Sequence, residues 1–536
     1  MRRILVLCAG VAIAIATVVG IAGAAGPANG GLDRKGAAQS ILKLHGKYLT
    51  SPAQSAVRMV ANDDRDFSPP QQALHGGARS GGLAAGPAAF TNVRVNDPSL
   101  DSHQVDQTTQ SETSVAVAGS KVAVGYNDSQ HTGLFITAGS GLSGYSYSTD
   151  GGASFTDGDV LPNRPEFVNL GDPWLTSDRA GNMYYSTLSL DAFNFNLDVA
   201  VAKSTDGGKT WSEPVPVTRP PFAIFYTGDK DAMAAGPDPN TPSKDDLYVA
   251  YDDFSFDSNT GDFFIGLPVA RSTDGGSSWQ ISYADRFNAA AFSGCSFAQY
   301  IGAVPIVDSN NGTLYVAAEK IAADDPNCTG VPPSFSEWIF KSTDGGQTFG
   351  AGIKIADVTS SIPNGLLQLG PGQYMRNLEF PTMAFLKKNL YVAWNDGAGG
   401  HSHIRIAKST DGGQTWTISA ATQGSNDELQ PSLTGDSALH LLYYRRNNDN
   451  TLDVYVANSS NGSGFPATRV TTQSSPGVFN NPQFDPIIAP GYMGDYIGSA
   501  TDGTNQYFAW GDNRDVVTNF MWPHGRHDPD VFSAKQ

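Results

Sequence analysis

The side chains of this 536-residue sequence best equipped for chemistry are carboxylates, and they recur at matched places. Glu112, Asp172, Asp231, Glu379 and Asp495 stand at or near the start of short β-rich runs, and Asp128, Asp252, Asp253, Glu319, Asp396 and Asp512 stand just after others. Close carboxylates repel and raise one another's pKa, which suits acid–base work on a glycosidic bond. The same oxygens suit a hard cation such as Ca2+. Asp at strand ends also bonds loop amides, a purely structural role. The catalytic candidates are Asp495, Glu112, Asp172 and Asp231, with Tyr496 as a nucleophile. Arg376, Arg445, Arg446 and Arg514 are the cations placed to grip an anionic sugar, since guanidinium pairs bidentately with carboxylate. Tyr374, Tyr443 and Tyr492 could stack on sugars, and His401 and His403 form a His-x-His with no third metal ligand to name.

Elements that could hold these residues are visible as repeats. The octet Ser-Thr-Asp-Gly-Gly-x-x-(Trp/Phe) occurs at 148–155, 204–211, 272–279, 342–349 and 409–416, with a worn copy at 459–465. It is hairpin chemistry: the Asp bonds turn amides, Gly supplies positive φ, and the aromatic plugs back onto the apolar side. Asp150, Asp206, Asp274, Asp344 and Asp411 are therefore read as structural. Before each octet lies a short buried strand, clearest at 247–251, 314–318 and 390–394, weaker at 122–126, 183–187, 439–443 and 506–510, recurring about every 64 residues. Another strand precedes each of these and one follows the octet. Each unit is thus four strands, A to D, with the octet joining C to D. Radial repetition of such units is a β-propeller, an all-β fold. Residues 530–535 read as a C strand with no D strand after it, and 90–96 match the D strand at 465–471 in Phe, Arg and Val spacing. The N-terminal strand is expected to complete the last blade and close the ring, giving seven blades, or six if the unit at Met183 is a decorated loop.

The octet resembles the Asp-box, or bacterial neuraminidase repeat, and residues 90–536 resemble the Asp-box propellers of the sialidase superfamily. That resemblance implies a glycoside hydrolase with three arginines on a substrate carboxylate, a Tyr–Glu nucleophile pair and an acid Asp. The family's first arginine sits in Phe/Tyr-Arg-Ile-Pro; here Arg94 lies in Asn-Val-Arg-Val and Arg164 in Asn-Arg-Pro-Glu, so no catalytic residue carries over by motif. Asp-boxes also occur in non-enzymatic propellers.

Composition sets the outer limits. Charged residues are only 16%, glycine numbers 59, and aromatics are plentiful (27 Phe, 20 Tyr, 8 Trp), which excludes a coiled coil or helical bundle. A net charge of −18 argues against nucleic acid and anionic membranes as partners. Arg2 and Arg3, the apolar run 4–21 and Ala22-Gly23-Ala24 read as a signal peptide over 1–24. Residues 25–89 read as a linker or pro-segment with one helix around 40–59, and 90–536 as the propeller. Cys295 and Cys328, left in an exported chain, are expected to form a disulfide between two loops of one unit. The expectation is a secreted or periplasmic monomer, free of the membrane once the signal is cleaved, acting on an extracellular glycan or glycoconjugate. It is expected to be a sialidase-like hydrolase with no required cofactor, or else a non-catalytic glycan- or protein-binding propeller.

Overall fold

In a computed structural model of the chain, residues 34–46, 49, 51–62, 90–101, 109–131, 141–217, 223–257, 259–360, 366–370, 373–476, 493–518, 523 and 525–536 are described. The leader at 1–24, Tyr492 and the side chain of Tyr374 lie outside the described residues. No helix among the described residues is long and apolar enough to cross a membrane.

The fold is all-β, built from four-stranded antiparallel units whose strands pair in chain order. Unit 1 is Gln110–Ala118, Lys121–Asp128, Ser143–Ser148 and Thr156–Val160; unit 2 is Trp174–Ser177, Met183–Asp191, Leu197–Ser204 and Val215–Pro216. Unit 3 is Ala223–Pro237, Asp245–Asp257, Phe263–Ser272 and Gln280–Asn288, joined to unit 2 through a parallel contact at Thr227 and Leu197. Unit 4 is Phe297–Val307, Leu314–Ala323, Ser334–Ser342 and Ile353–Val358; unit 5 is Thr382–Leu386, Asn389–Asp396, His403–Ser409 and Thr417–Ala420. Unit 6 is Glu428–Gly435, Leu439–Arg446, Thr451–Ser459 and Ala467–Arg469. The last sheet is Gly498–Thr501, Gln506–Val517 and Arg526–Lys535, and its fourth strand is Val93–Arg94, with Val93 opposite Ser533. The A strands touch in sequence, from unit 1 through unit 6 to Gly498–Thr501, which touches Gln110–Ala118 again. Apolar residues of adjoining sheets pack between them, as Leu442, Val454 and Val456 do with Phe508 and Trp510.

The octets are hairpin tips. In the copy at 272–279, Asp274 Oδ1 accepts the amides of Ser277 (3.0 Å) and Ser278 (2.9 Å), and the Ser278 hydroxyl donates to Oδ2 (2.6 Å). That hydroxyl bond, the largest influence, holds Asp274 below the usual carboxylate range. Asp150, Asp206, Asp344 and Asp411 make the same bonds to their own turns.

One feature differs from expectation. The segment expected to hold one helix forms two, α1 (Arg34–Leu44) and α2 (Ser51–Asn62), which pack together. They dock on units 2 and 3: Ala37, Ala38, Ile41, Ala56 and Val57 share a core with Leu197, Phe225, Phe254 and Phe263. Small apolar residues spaced three or four apart make that close contact, so the segment does not trail as a flexible leader. Cys295 and Cys328 form a disulfide, Cα atoms 5.0 Å apart, between the loop entering strand A of unit 4 and its B–C loop, as expected.

Candidate functional site

Strand A of several units enters its sheet through a bulge. Glu112 (φ 52°), Asp172 (φ 53°), Lys230 (φ 43°) and Gln430 (φ 51°) all take left-handed backbone conformations. Register breaks between Ser111 and Ser114, Asp229 and Ala232, Ile301 and Val304, and Leu429 and Ser432. Positive φ in a non-glycine residue costs about 1–3 kcal/mol and re-aims the side chain. Here it gathers charged residues from strands far apart in sequence.

One group holds all four catalytic candidates. Glu112 Oε1 accepts the Asp495 amide (3.0 Å) and Oε2 accepts Asn127 Nδ2 (2.9 Å). Asn127 Oδ1 in turn accepts the Asp172 amide (2.9 Å), so one asparagine ties Glu112 to Asp172. Arg376 Nε lies 3.1 Å from Asp495 Oδ1. Burial pushes Asp495 up to about 7, with Arg376 opposing the rise and Glu112 adding to it. Burial likewise takes Asp231 to about 7 against Ser186 and Lys230. Asp172 rises well above the ordinary range through burial, then Glu112, Asp229 and Asp231. Both Asp172 oxygens are buried without a hydrogen-bond partner among the described residues.

The sequence reading missed the cation at the centre of this group. Lys230 is 1% exposed, and its Nζ lies 4.1 Å from the ring centre of Tyr496, 4.6 Å from Trp174 and 5.7 Å from Phe380. It opposes the pKa rise at Asp172, Asp231, Asp252 and Asp495. Tyr496 supplies a ring face to the lysine, while its hydroxyl donates to the Pro173 carbonyl (3.0 Å) and burial raises its pKa. In this structure that hydroxyl is a held donor rather than a free nucleophile.

The eleven carboxylates do not gather in one place. Glu319, Glu379 and Asp396 form a second buried group with Glu337, which the sequence reading also missed. Glu319 and Glu337 are cross-strand partners, and burial followed by Glu379 raises both. Their four oxygens have no hydrogen-bond partner among the described residues. Asp253, Asp512 and Asp128 stand apart. Asp253 accepts from Tyr283 (3.2 Å), and Asp512 pairs with Arg514. Side chains alternate along a strand, so Asp252 and Asp253 face opposite ways and only one can join the inner group.

Asp128 joins a third group. Its Oδ1 and that of Asp101 both accept Gln110 Nε2 (3.2 and 3.0 Å). Asp101, Asp528 and Asp530 each bring a carboxylate oxygen within 4.8 Å of the others, the described set with geometry for a hard cation. Burial raises Asp101 and Asp128 to about 8 and Asp530 to about 9.

The four expected anion-gripping arginines do not converge on a free pocket. Arg376 pairs with Asp495, Arg445 with Glu428 (2.9 Å), Arg446 with Asp427 (2.7 Å) and Arg514 with Asp512. Each guanidinium is already committed to a carboxylate of this chain.

Residues 202–213, around the second octet, match the family model described as BNR/Asp-box repeat. The chain carries an Asp-box repeat at that position. No curated protein matches it in sequence. Similar solved structures include a phage phi92 endosialidase (10% identity, 84% of this chain and 69% of that one, TM-score 0.44). Others are an intramolecular trans-sialidase from Ruminococcus gnavus (11%, 69% and 94%, TM-score 0.39) and an α-L-arabinofuranosidase from Fusarium graminearum (13%, 69% and 93%, TM-score 0.39). At such identities and scores these structures assign neither a substrate nor a reaction.

Proposed function

We propose that this Asp-box chain is a seven-bladed propeller, closed by Val93–Arg94, that is secreted or periplasmic and hydrolyses a glycosidic bond in an extracellular glycan as a monomer. Support for the blade count comes from the order in which A strands touch and from Met183–Asp191, which is paired on both sides. The observation carrying the catalytic reading is the inner acid group. Asp495 and Asp231, each held near 7, are half protonated at neutral pH, as a general acid must be. Glu112, both of whose oxygens accept N–H bonds, is the carboxylate assigned to stabilise developing positive charge at the sugar. Lys230 and Arg376 oppose the rise that burial imposes on these acids. With the four arginines engaged, the favoured substrate does not need a three-arginine carboxylate clamp.

The test is release of 4-methylumbelliferone from a panel of glycosides by the folded chain. Turnover that Asp495→Asn and Glu112→Gln abolish while melting stays cooperative is the expected result. One observation favours a second reading, a non-catalytic glycan-binding propeller: Glu112, Asp172, Asp231 and Asp495 are each at most 1% exposed. Saturable glycan-array binding without turnover on any glycoside would establish that reading and remove the first.

A further inference from the structure

The repeats supply their own control for detecting an unusual residue. In six of the seven units the last residue of the strand-B motif has a directly opposite partner on strand C, and such pairs share one face of the sheet. The pairs are Tyr126–Gly144, Thr187–Ala200, Ala318–Trp338, Trp394–Arg405, Tyr443–Tyr455 and Trp510–Phe532. Five of the six strand-C partners are uncharged; in unit 5 the place is taken by Arg405. The strand alternates as expected, with Ile404 and Ile406 buried in the core and His403 and Arg405 turned to the other face.

That face opens into a cleft of about 310 Å³, near the lower end of ligand-site volumes. Asp396 at the end of strand B, His403 and Arg405 on strand C, and Thr422 and Gln423 after strand D line it. The polar lining is built rather than loose. Asp396 is 6% exposed and accepts the amides of Ala398 (2.8 Å) and Thr359 (3.3 Å). His403 Nδ1 lies 3.2 Å from Oε2 of the fully buried Glu428, which leaves its Nε2 edge uncommitted. Thr422 is fixed by the Ile404 amide (2.9 Å). Arg405, unlike Arg376, Arg445, Arg446 and Arg514, has no acid partner among the described residues. A half-buried guanidinium without a carboxylate partner is open to an incoming anion.

We propose that this cleft is a separate binding site for a hexuronate residue of an acidic polysaccharide, with Arg405 on the sugar carboxylate and Asp396, His403 and Gln423 on its hydroxyls. A net charge of −18 disfavours polyanions in general, so any carboxylate preference must come from a local, oriented cation. The site is distinct from the inner acids, and its occupancy does not require hydrolysis there.

Isothermal titration of the full chain with trigalacturonate and with neutral cellotriose tests this. The expected result is at least a tenfold preference for trigalacturonate. Arg405→Gln should bring the two sugars within twofold of each other, Arg405→Lys should keep part of the preference, and Asp495→Asn should leave it intact. Equal affinities for the two sugars in the parent chain, no binding of trigalacturonate, or an undiminished preference in folded Arg405→Gln would each overturn the proposal. Absence of glycoside hydrolysis by the parent chain, with uronate binding retained, would count against the inner site alone.

Discussion

Replacing Lys230 with Met keeps the length of the side chain and removes its charge from a buried set of acids. The ammonium opposes the pKa rise of Asp172, Asp231, Asp252 and Asp495. Unit charges about 6 Å apart at an effective dielectric constant of about 20 interact by about 3 kcal/mol, or about two pKa units. Spread over several acids, an upward shift of about one to two units at Asp495 and Asp231 is expected from their present value of about 7. A group needed in its protonated form sets the alkaline limb of a pH–rate profile. That limb of kcat/KM on an aryl glycoside should therefore move up by about one to two pH units, while Lys230→Arg should leave it in place. In the absence of substrate, 13C NMR of labelled aspartate carboxyls reads the same shift. An alkaline limb and carboxyl titrations unmoved in a natively melting Lys230→Met protein would refute the electrostatic coupling and the acid assignment built on it.

Three further outcomes follow from the same geometry. Asp101, Asp128 and Asp530 have folded pKa values of about 8, 8 and 9, above those of the unfolded chain, so the folded state holds protons that the unfolded state releases. Stability should fall as pH rises from about 4 towards 9, with Tm at pH 9 at least about 5 °C below that at pH 6 by calorimetry, and Asp530→Asn should flatten the slope. His45 shows the opposite sign: it is buried between Phe254 and Phe297 against Gln299, and burial lowers its pKa to about 4. Docking of α1 and α2 should therefore hold above about pH 6.5 and weaken as pH falls towards 4, seen as earlier limited proteolysis of residues 34–62, with His45→Gln suppressing the change. Reducing the Cys295–Cys328 bond, whose partners are 33 residues apart, should cost about 3–4 kcal/mol in the chain-entropy account, measured by denaturant unfolding with and without dithiothreitol.

Much of the strand pairing was legible before any coordinates. The Ser that opens each octet pairs with the first residue of the preceding strand-B motif: Leu247 with Ser272, Leu314 with Ser342, Leu390 with Ser409 and Leu439 with Ser459. A fixed turn and a period of two set every cross-strand partner from there, so Glu337 opposite Glu319 and Arg405 opposite Trp394 were readable in principle. The turn bonds of the octet aspartates are legible for the same local reason: their bonding partners lie within four residues.

The inner site was legible only in part. Sequence named Glu112, Asp172, Asp231 and Asp495, because each lies beside a recognisable strand, but not Lys230, which sits between two acids in Asp229-Lys230-Asp231. Its meaning depends on a left-handed backbone at that position and on rings from Trp174, Phe380 and Tyr496, contributed by three distant segments. The arginines show the same limit. Their residue type suggests anion binding, yet which carboxylate each one meets is a long-range fact, and Arg376, Arg445, Arg446 and Arg514 all meet one of the chain's own. Short-range chemistry therefore determined the hairpins, the register and the all-β architecture, since turns and alternation act over a few residues. The partners, burial and protonation of the charged groups were decided by tertiary structure, because desolvation and Coulomb interaction depend on what the fold brings near in space.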